Sequence, residues 1–216
     1  MAEESVALDL ERWIRLWTRL HAAGDGRPVF SQLVRAYAEP ARVYHTADHI
    51  SDCLSQLDSV GELAERPEEL EAAIWFHDAV YAPAASDNEE QSARLAQVTL
   101  SSAGVPPEPS HRIAAMVLTT RHQTLPQTPD ARLLCDIDLS ILGRDPATFE
   151  EYERRIRQEY SWVPEPDYRR ARSEILAGFL RRKTLYQTPP FRDRYERTAR
   201  QNLRHSISRL TRESES

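Results

Sequence analysis

Between Ala72 and Ala85 nearly every side chain is apolar or aromatic, and the imidazole and the carboxylate it does carry are adjacent, His77 and Asp78. A run with no polar side has no face to turn to water, so it belongs in the middle of a fold. A carboxylate carried there without a partner is costly unless a cation or hydrogen bonds match it. Something must therefore stand against Asp78: a metal ion shared with the imidazole, an arginine, or a hydrogen-bonded core partner.

The chain has 216 residues, enough to bury a full core, and no stretch has the composition of a linker, so the expectation is a single domain over 1–216. With 40% hydrophobic and 29% charged residues and only 6 glycines, it suits an all-α protein. Periodicity predicts about ten helices, and no segment passes an alternation test for a strand. They run over 5–23, 28–37, from Thr46 through Leu57, 67–83, from Asp87 onward, 111–123, 131–142, 146–160, 167–186 and 191–210, around a core from residue 10 to 204 with frayed ends. No apolar run approaches the ~20 residues that span a bilayer, and the first ten residues are acidic where a secretory signal is basic. A cytoplasmic location without membrane contact is the expectation. Cys53 and Cys135 form no Cys-x-x-Cys pair and read as reduced core residues. Nothing in the composition fixes an oligomeric state.

The net charge of −6 is uneven, because the acidic excess lies before Gly143 and the remainder is basic. All 28 basic residues except Lys183 are arginine. Arginine is the side chain suited to forked contacts with phosphate. Uniform arginine usage is better explained by codon composition, so the basic half reads as solvated helix faces with local ion pairs, such as Glu153 with Arg157. Nucleic-acid binding is not expected.

Candidate partners for Asp78 come from order and context. Thr46 is placed to cap a helix whose first turn carries His49 and whose apolar face is Ile50, Cys53, Leu54 and Leu57. His77 and Asp78 follow in the next, all-apolar helix. On the predicted helix 131–142, Asp138 has Leu134, Cys135, Ile141 and Leu142 around it, whereas two of the four neighbours of Asp136 are polar, Ser140 and Arg132, the latter a plausible ion-pair partner. Asp138 is thus expected on the buried face. His49, His77, Asp78 and Asp138 make a set of two imidazoles and two carboxylates, suited to Mn, Fe, Co, Ni or Zn rather than Ca.

The order His49, His77-Asp78, Asp138 resembles the His, His-Asp, Asp signature of the HD-domain superfamily of metal-dependent phosphohydrolases. Tyr-His-Thr-Ala-Asp-His-Ile at 44–50, Trp-Phe-His-Asp-Ala-Val-Tyr at 75–81, Asp-Asn-Glu-Glu at 87–90, Asp-Ile-Asp-Leu-Ser-Ile-Leu-Gly at 136–143 and Ile-Arg-Gln-Glu-Tyr at 156–160 resemble a bacterial subgroup of that superfamily. The resemblance implies an HD-type helical bundle with a divalent metal ion on His49, His77, Asp78 and Asp138. Magnesium joins the candidate metals, and a second ion is allowed for. The His-Thr-x-x-His arrangement also resembles the His-Asn-x-x-His of cyclic-nucleotide phosphodiesterases, which implies that His45 is a general acid; Thr46 stands where those enzymes have asparagine.

The implied activity is hydrolysis of a small phosphate ester or anhydride, with a nucleotide as the expected class by analogy with relatives. A metal-bound hydroxide would attack phosphorus in line, with His45 or Asp87 handling the proton. His122 is a candidate for holding substrate phosphate or a second ion, against an outer-shell or exposed helix-end histidine. Arg157 and Arg172 are candidates for substrate phosphate, against ion pairing with Glu153 or acids near Glu174. Tyr44 and Tyr81 beside the ligands are candidates for stacking on a base, against core packing. Two other readings stand beside the enzyme: a regulatory module that keeps metal and nucleotide without turnover, and a helical interaction protein with a buried ion-paired cluster. The last needs an arginine embedded in an apolar stripe, and the sequence shows none.

Overall fold

The computed structural model describes residues 8–212, which form ten α-helices with no strand among them. The predicted start of the first helix at Ser5 and the outermost parts of the frayed ends lie outside the described residues. In chain order the helices are α1 Leu10–Arg19, α2 Arg27–Tyr37, α3 Ala47–Val60, α4 Pro67–Phe76, α5 Asn88–Ser102, α6 Pro107–Thr119, α7 Pro129–Asp138, α8 Pro146–Glu159, α9 Glu165–Arg181 and α10 Pro189–Arg212. Prolines sit in the first turns of α2, α4, α6, α8 and α9, where a missing N–H costs nothing and the fixed φ suits the helix. Asp9 caps α1 by accepting from the N–H groups of Glu11 and Arg12 at 2.8 and 3.1 Å, which sets its start at Leu10. None of the described helices is long and apolar enough to cross a membrane.

The chain divides into two compact units, Met1–Cys135 and Asp136–Ser216. In the first, α4 is the central element: α1, α3, α5 and α6 all pack against it. From Glu69 to Phe76 every one of its residues is buried, as an apolar surface on all sides requires. Trp75 meets Trp13 edge-on at 5.3 Å between ring centroids and Phe30 at 6.1 Å. Its two buried carboxylates are matched rather than left alone. Glu69 accepts a fork from Arg112 at 2.7 and 2.5 Å, and Glu71 accepts from Arg12 at 2.8 Å and from Arg19.

In the second unit α9 packs along α10, and a short 3-10 helix, Leu139–Gly143, lies against α10 and α8. Side chains near and on α10 hold that segment: the Tyr186 hydroxyl donates to the Leu139 carbonyl at 3.0 Å, and the Asn202 amide donates to Leu142 and Arg144 at 2.9 Å each. Gly143 faces Tyr195 so closely that a Cβ there would lie 2.9 Å from the Tyr195 Cα. The helix predicted to end at Leu142 therefore tightens after Asp138. The helix predicted to reach Tyr186 stops at Arg181, because Glu196 takes the Leu185 and Tyr186 N–H groups and Arg200 donates to the carbonyls of Leu180, Arg182 and Lys183. The basic faces carry local ion pairs, Glu151 with Arg154 and Arg155, Asp167 with Arg170, and Glu196 with Arg200. The expected pair of Glu153 with Arg157 does not form; Glu153 pairs with Arg172.

The ranking of the two acids on α7 also needs correction. Asp136 is fully buried, while Asp138 is half-buried. Arg132 donates to the carbonyls of Pro126 and Gln127 rather than to Asp136. Asp136 instead accepts from the Gln187 N–H at 2.8 and 3.1 Å and from the Thr188 N–H and hydroxyl at 2.7 and 2.6 Å. Its partners come from a loop far along the chain, which the helix periodicity could not see.

Burial pushes the Asp136 carboxyl up to about 6, against the hydrogen bonds from Thr188 and Gln187 and the charge of Arg192. An unfolded aspartate ionises near 3.9, so between about pH 4 and 6 the folded protein holds a proton that the unfolded chain has lost. Stability should then fall as pH rises through that window. In chemical unfolding, the stability margin of the native chain over Asp136→Asn is expected to shrink by up to about 3 kcal/mol from pH 4 to 6 and to level off above. A margin that stays constant or grows contradicts this account.

Candidate metal centre

The site is built where two helix ends meet in the first unit. On α3, His49 lies in the first turn and Cys53 one turn later, so both face the same side, among Ile50, Leu54 and Leu57. Thr46 occupies the cap position in extended conformation, but its hydroxyl turns back to the Tyr44 carbonyl at 3.5 Å instead of capping α3. His77 stands at the C-terminal boundary of α4 with Asp78 just beyond it. The prediction that α4 continues to Pro83 is therefore corrected: the helix stops at Phe76.

What stops it is a set of donors for the carbonyls that a helix end exposes inside a core. The His77 Nδ1–H donates to the Ile74 carbonyl at 2.9 Å, the Tyr37 hydroxyl to Trp75 at 2.9 Å, and the Ala79 N–H to Phe76 at 3.0 Å. Arg42 reaches the carbonyls of Asp78 at 2.6 Å and Ala79 at 3.2 Å, and Ser92 bridges the N–H and carbonyl of Val80 at 3.0 and 3.2 Å. The Arg42 side chain has no exposed surface and lies between the rings of Tyr37 and Tyr81, at 5.2 and 5.5 Å. It also touches the His45 carbonyl at 3.3 Å. One guanidinium thus ties the loop that carries His45 to the turn that carries Asp78.

The result is a convergence of acceptor atoms. The Nε2 atoms of His49 and His77 are 3.1 Å apart, and Asp78 Oδ2 lies 3.1 Å from His77 Nε2 and 3.6 Å from His49 Nε2. Because the His77 Nδ1 proton is directed to Ile74, the lone pair of that ring is on Nε2, facing the other two atoms. An ion bound at about 2.1 Å from each would make angles of roughly 95–120° between them, so the donor set fits a divalent metal. Cys53 Sγ lies 3.8 Å from each ring nitrogen of His49. His49, Cys53 and His77 are buried, their ligand atoms lie within 4.8 Å of one another, and the group could hold a metal ion. With no ion bound, burial pushes the Asp78 carboxyl up, but the positive charge and donated hydrogen bond of a protonated His77, followed by the charges of His45 and His49, hold it well below the usual carboxylate range; a bound cation would take over that role, with His77 neutral and its Nε2 lone pair on the ion.

Around these atoms His45 packs against Tyr81, with centroids 4.3 Å apart and planes 31° apart, and lies edge-on to Tyr44 at 5.1 Å. Tyr44 is 4.9 Å from the His49 ring. The first unit therefore brings together His45, His49, His77 and Asp78, with Tyr44 and Tyr81 beside them. Asp138 is the last residue of α7 and belongs to the second unit. Asp87 is exposed at the start of α5, where it accepts from the Gln91 amide at 3.0 Å. His122 is not on a helix as predicted; α6 ends at Thr119, and His122 follows with φ of 55°, its N–H donating to the Thr119 carbonyl at 3.0 Å.

Arg157 closes the turn between α8 and α9, donating to Glu165 at 2.8 Å and to the carbonyls of Tyr160 and Val163 at 2.6 and 3.2 Å. Arg172 is buried on Glu153 and the Tyr152 hydroxyl. Sequence reasoning missed Arg42, which follows Glu39-Pro40 in a stretch without periodicity, and took Cys53 for core packing alone. The unmet carbonyls at the end of α4 are the signal that identifies Arg42. Comparison of the chain with protein-family models, with curated proteins and with solved structures gave no match.

Replacing Arg42 by methionine keeps most of the apolar stem but leaves the Asp78 and Ala79 carbonyls without their donor. The expected cost is about 3–5 kcal/mol in chemical unfolding, with metal uptake weakened alongside. A loss under about 1 kcal/mol would show that the turn holds its shape without this residue.

Proposed function

We propose that the chain is a metal-dependent phosphohydrolase of the HD type that cleaves a small phosphate ester or anhydride, with a nucleotide as the expected substrate class. The observation that carries this reading is the convergence of His49 Nε2, His77 Nε2 and Asp78 Oδ2 on one point at the buried end of α4. A divalent ion held there supplies Lewis acidity toward a phosphoryl oxygen and makes a water acidic enough to attack at neutral pH.

The remaining work falls to the chain's own groups. His77 and His49 would each offer a ring nitrogen to the ion, His77 with its Nδ1–H on the Ile74 carbonyl, and Asp78 would bring the negative charge that the ion neutralises. His45, packed on Tyr81 and with its carbonyl on Arg42, is the group assigned to give a proton to the departing alkoxide. Tyr44 and Tyr81 offer aromatic surface for a base. General acid help of this kind is worth about a hundred- to ten-thousandfold in rate.

The test is a screen of phosphomonoesters, phosphodiesters and nucleotides with several divalent metals, reading released phosphate, on protein whose bound metal has been measured by elemental analysis. Turnover is expected with stoichiometric metal. His77→Ala should lose the metal, its activity and the thermal shift that metal gives, while His45→Ala should keep the metal and lose kcat about a hundredfold or more. Metal and nucleotide binding without released phosphate would replace the enzyme reading with a regulatory one, and absence of bound metal would end both.

A further inference from the structure

We infer that Asn88 and Ser92, in the first two turns of α5, are positioning residues for His45 and act on it through Tyr81. This rests on the assignment of His45 as the proton donor and adds to it what holds that ring in place. The Asn88 side-chain amide donates to the Ala82 carbonyl, and its oxygen accepts from the Ala82 N–H, both at 3.0 Å. One turn further along the same face, the Ser92 hydroxyl donates to the Val80 carbonyl at 3.2 Å and accepts from the Val80 N–H at 3.0 Å. Both backbone groups of two alternate residues are thus taken from one side, as a neighbouring strand would take them, but by side chains of a helix.

The residue between them is Tyr81. Its ring packs on the His45 imidazole with centroids 4.3 Å apart and planes 31° apart, and the Arg42 guanidinium, which meets the His45 carbonyl at 3.3 Å, lies 5.5 Å from the same ring. His45 stands outside α3, in the turn before its cap, so side-chain contacts rather than a helix register set the direction of its ring. α5 is a firm base for them, because it packs along α6 and against α4, and Ser92 is fully buried. In the hydrolysis proposed above, the hydroxide oxygen bonds to phosphorus while the bond from phosphorus to the leaving oxygen breaks. That oxygen takes a proton from the His45 imidazolium, which is left neutral. A reacting group displaced by about 1 Å can cost about a hundredfold in rate, so a ring free to turn is a poor donor even with the metal bound as before.

Two measurements on the full chain with zinc added read this role. In proton NMR the His45 ring resonance, identified by its absence in His45→Gln, should lie upfield of its position in Tyr81→Leu, because the imidazole packs on an aromatic face. Asn88→Ala should move it toward that position, with metal content and circular dichroism as in the native chain. The second measurement compares leaving groups. On thymidine 5′-monophosphate, whose alkoxide needs the proton, Asn88→Ala should lower kcat about ten- to a hundredfold with little change in KM. On p-nitrophenyl phosphate, whose phenolate leaves without it, the fall should be several times smaller. Asn88→Asp keeps the acceptor for the Ala82 N–H and loses the donor to its carbonyl, so it should lie between, and it serves as the second variant where Asn88→Ala loses helix content. A resonance that stays in place, or equal losses on the two esters, overturns the positioning role. Phosphate released from neither ester by the native chain overturns the hydrolytic reading of the centre, and the ring resonance then still decides whether Asn88 holds His45.

Discussion

A helix that is apolar on every side has to end somewhere inside the protein, and the carbonyls at that end must find donors without water. In this chain the end of α4 solves that problem with side chains from three other places: Tyr37 from α2, Arg42 from the loop before α3, and Ser92 from α5. His77 itself takes the first of the carbonyls, at Ile74. The position of His77 and Asp78 is thus a consequence of backbone satisfaction, and the candidate site inherits the rigidity of the core around it. Functional side chains placed this way are held by several independent bonds, which is the condition for keeping donor atoms at bonding distance.

The buried carboxylates show why this place differs from a structural ion pair. Glu69, Glu71 and Glu153 each face at least one guanidinium, and Glu153 also accepts from the Ser206 hydroxyl at 2.8 Å. Asp78 has an arginine within reach of its backbone, yet Arg42 turns to the carbonyls and leaves the carboxylate to His77 and His49. The interaction-protein reading required a buried arginine. Arg42 is buried at this place, and its donors go to backbone carbonyls and to Glu39 rather than to the Asp78 carboxylate. A carboxylate among imidazoles is the arrangement that a dication completes, whereas a carboxylate on a guanidinium is already neutralised.

The sequence disclosed the all-helical class, the helix starts at Pro28, Pro67 and Pro146, the central role of the segment around Trp75, and the grouping of His49 with His77 and Asp78, from local spacing, from the order of these residues along the chain and from the cost of burying charge; it took the prolines at 107 and 189 for breaks, although α6 and α10 begin on them. It did not disclose where α4 ends, since no glycine or proline interrupts it before Pro83 and the donors that end it lie elsewhere in the chain. For the same reason it misjudged Asp136, whose loop partners Gln187 and Thr188 stand 51 and 52 positions away. Periodicity reports the neighbours one turn above and below a residue. It carries no information about what another element brings to the same face, and Arg42 is of that kind, whereas Glu153 is among the partners the sequence offers for Arg172.

The manner in which α10 secures the second unit has a consequence for synthesis. The Leu142 carbonyl waits for Asn202, 60 positions later. At about 5–20 residues per second on a ribosome, that delay is roughly 3–12 s. During it, helices α1 to α6 have already emerged with their own buried center, while the stretch around Gly143 lacks its clasp. A chaperone or a protease meeting the nascent chain would find its opening there until α10, made later, closes it.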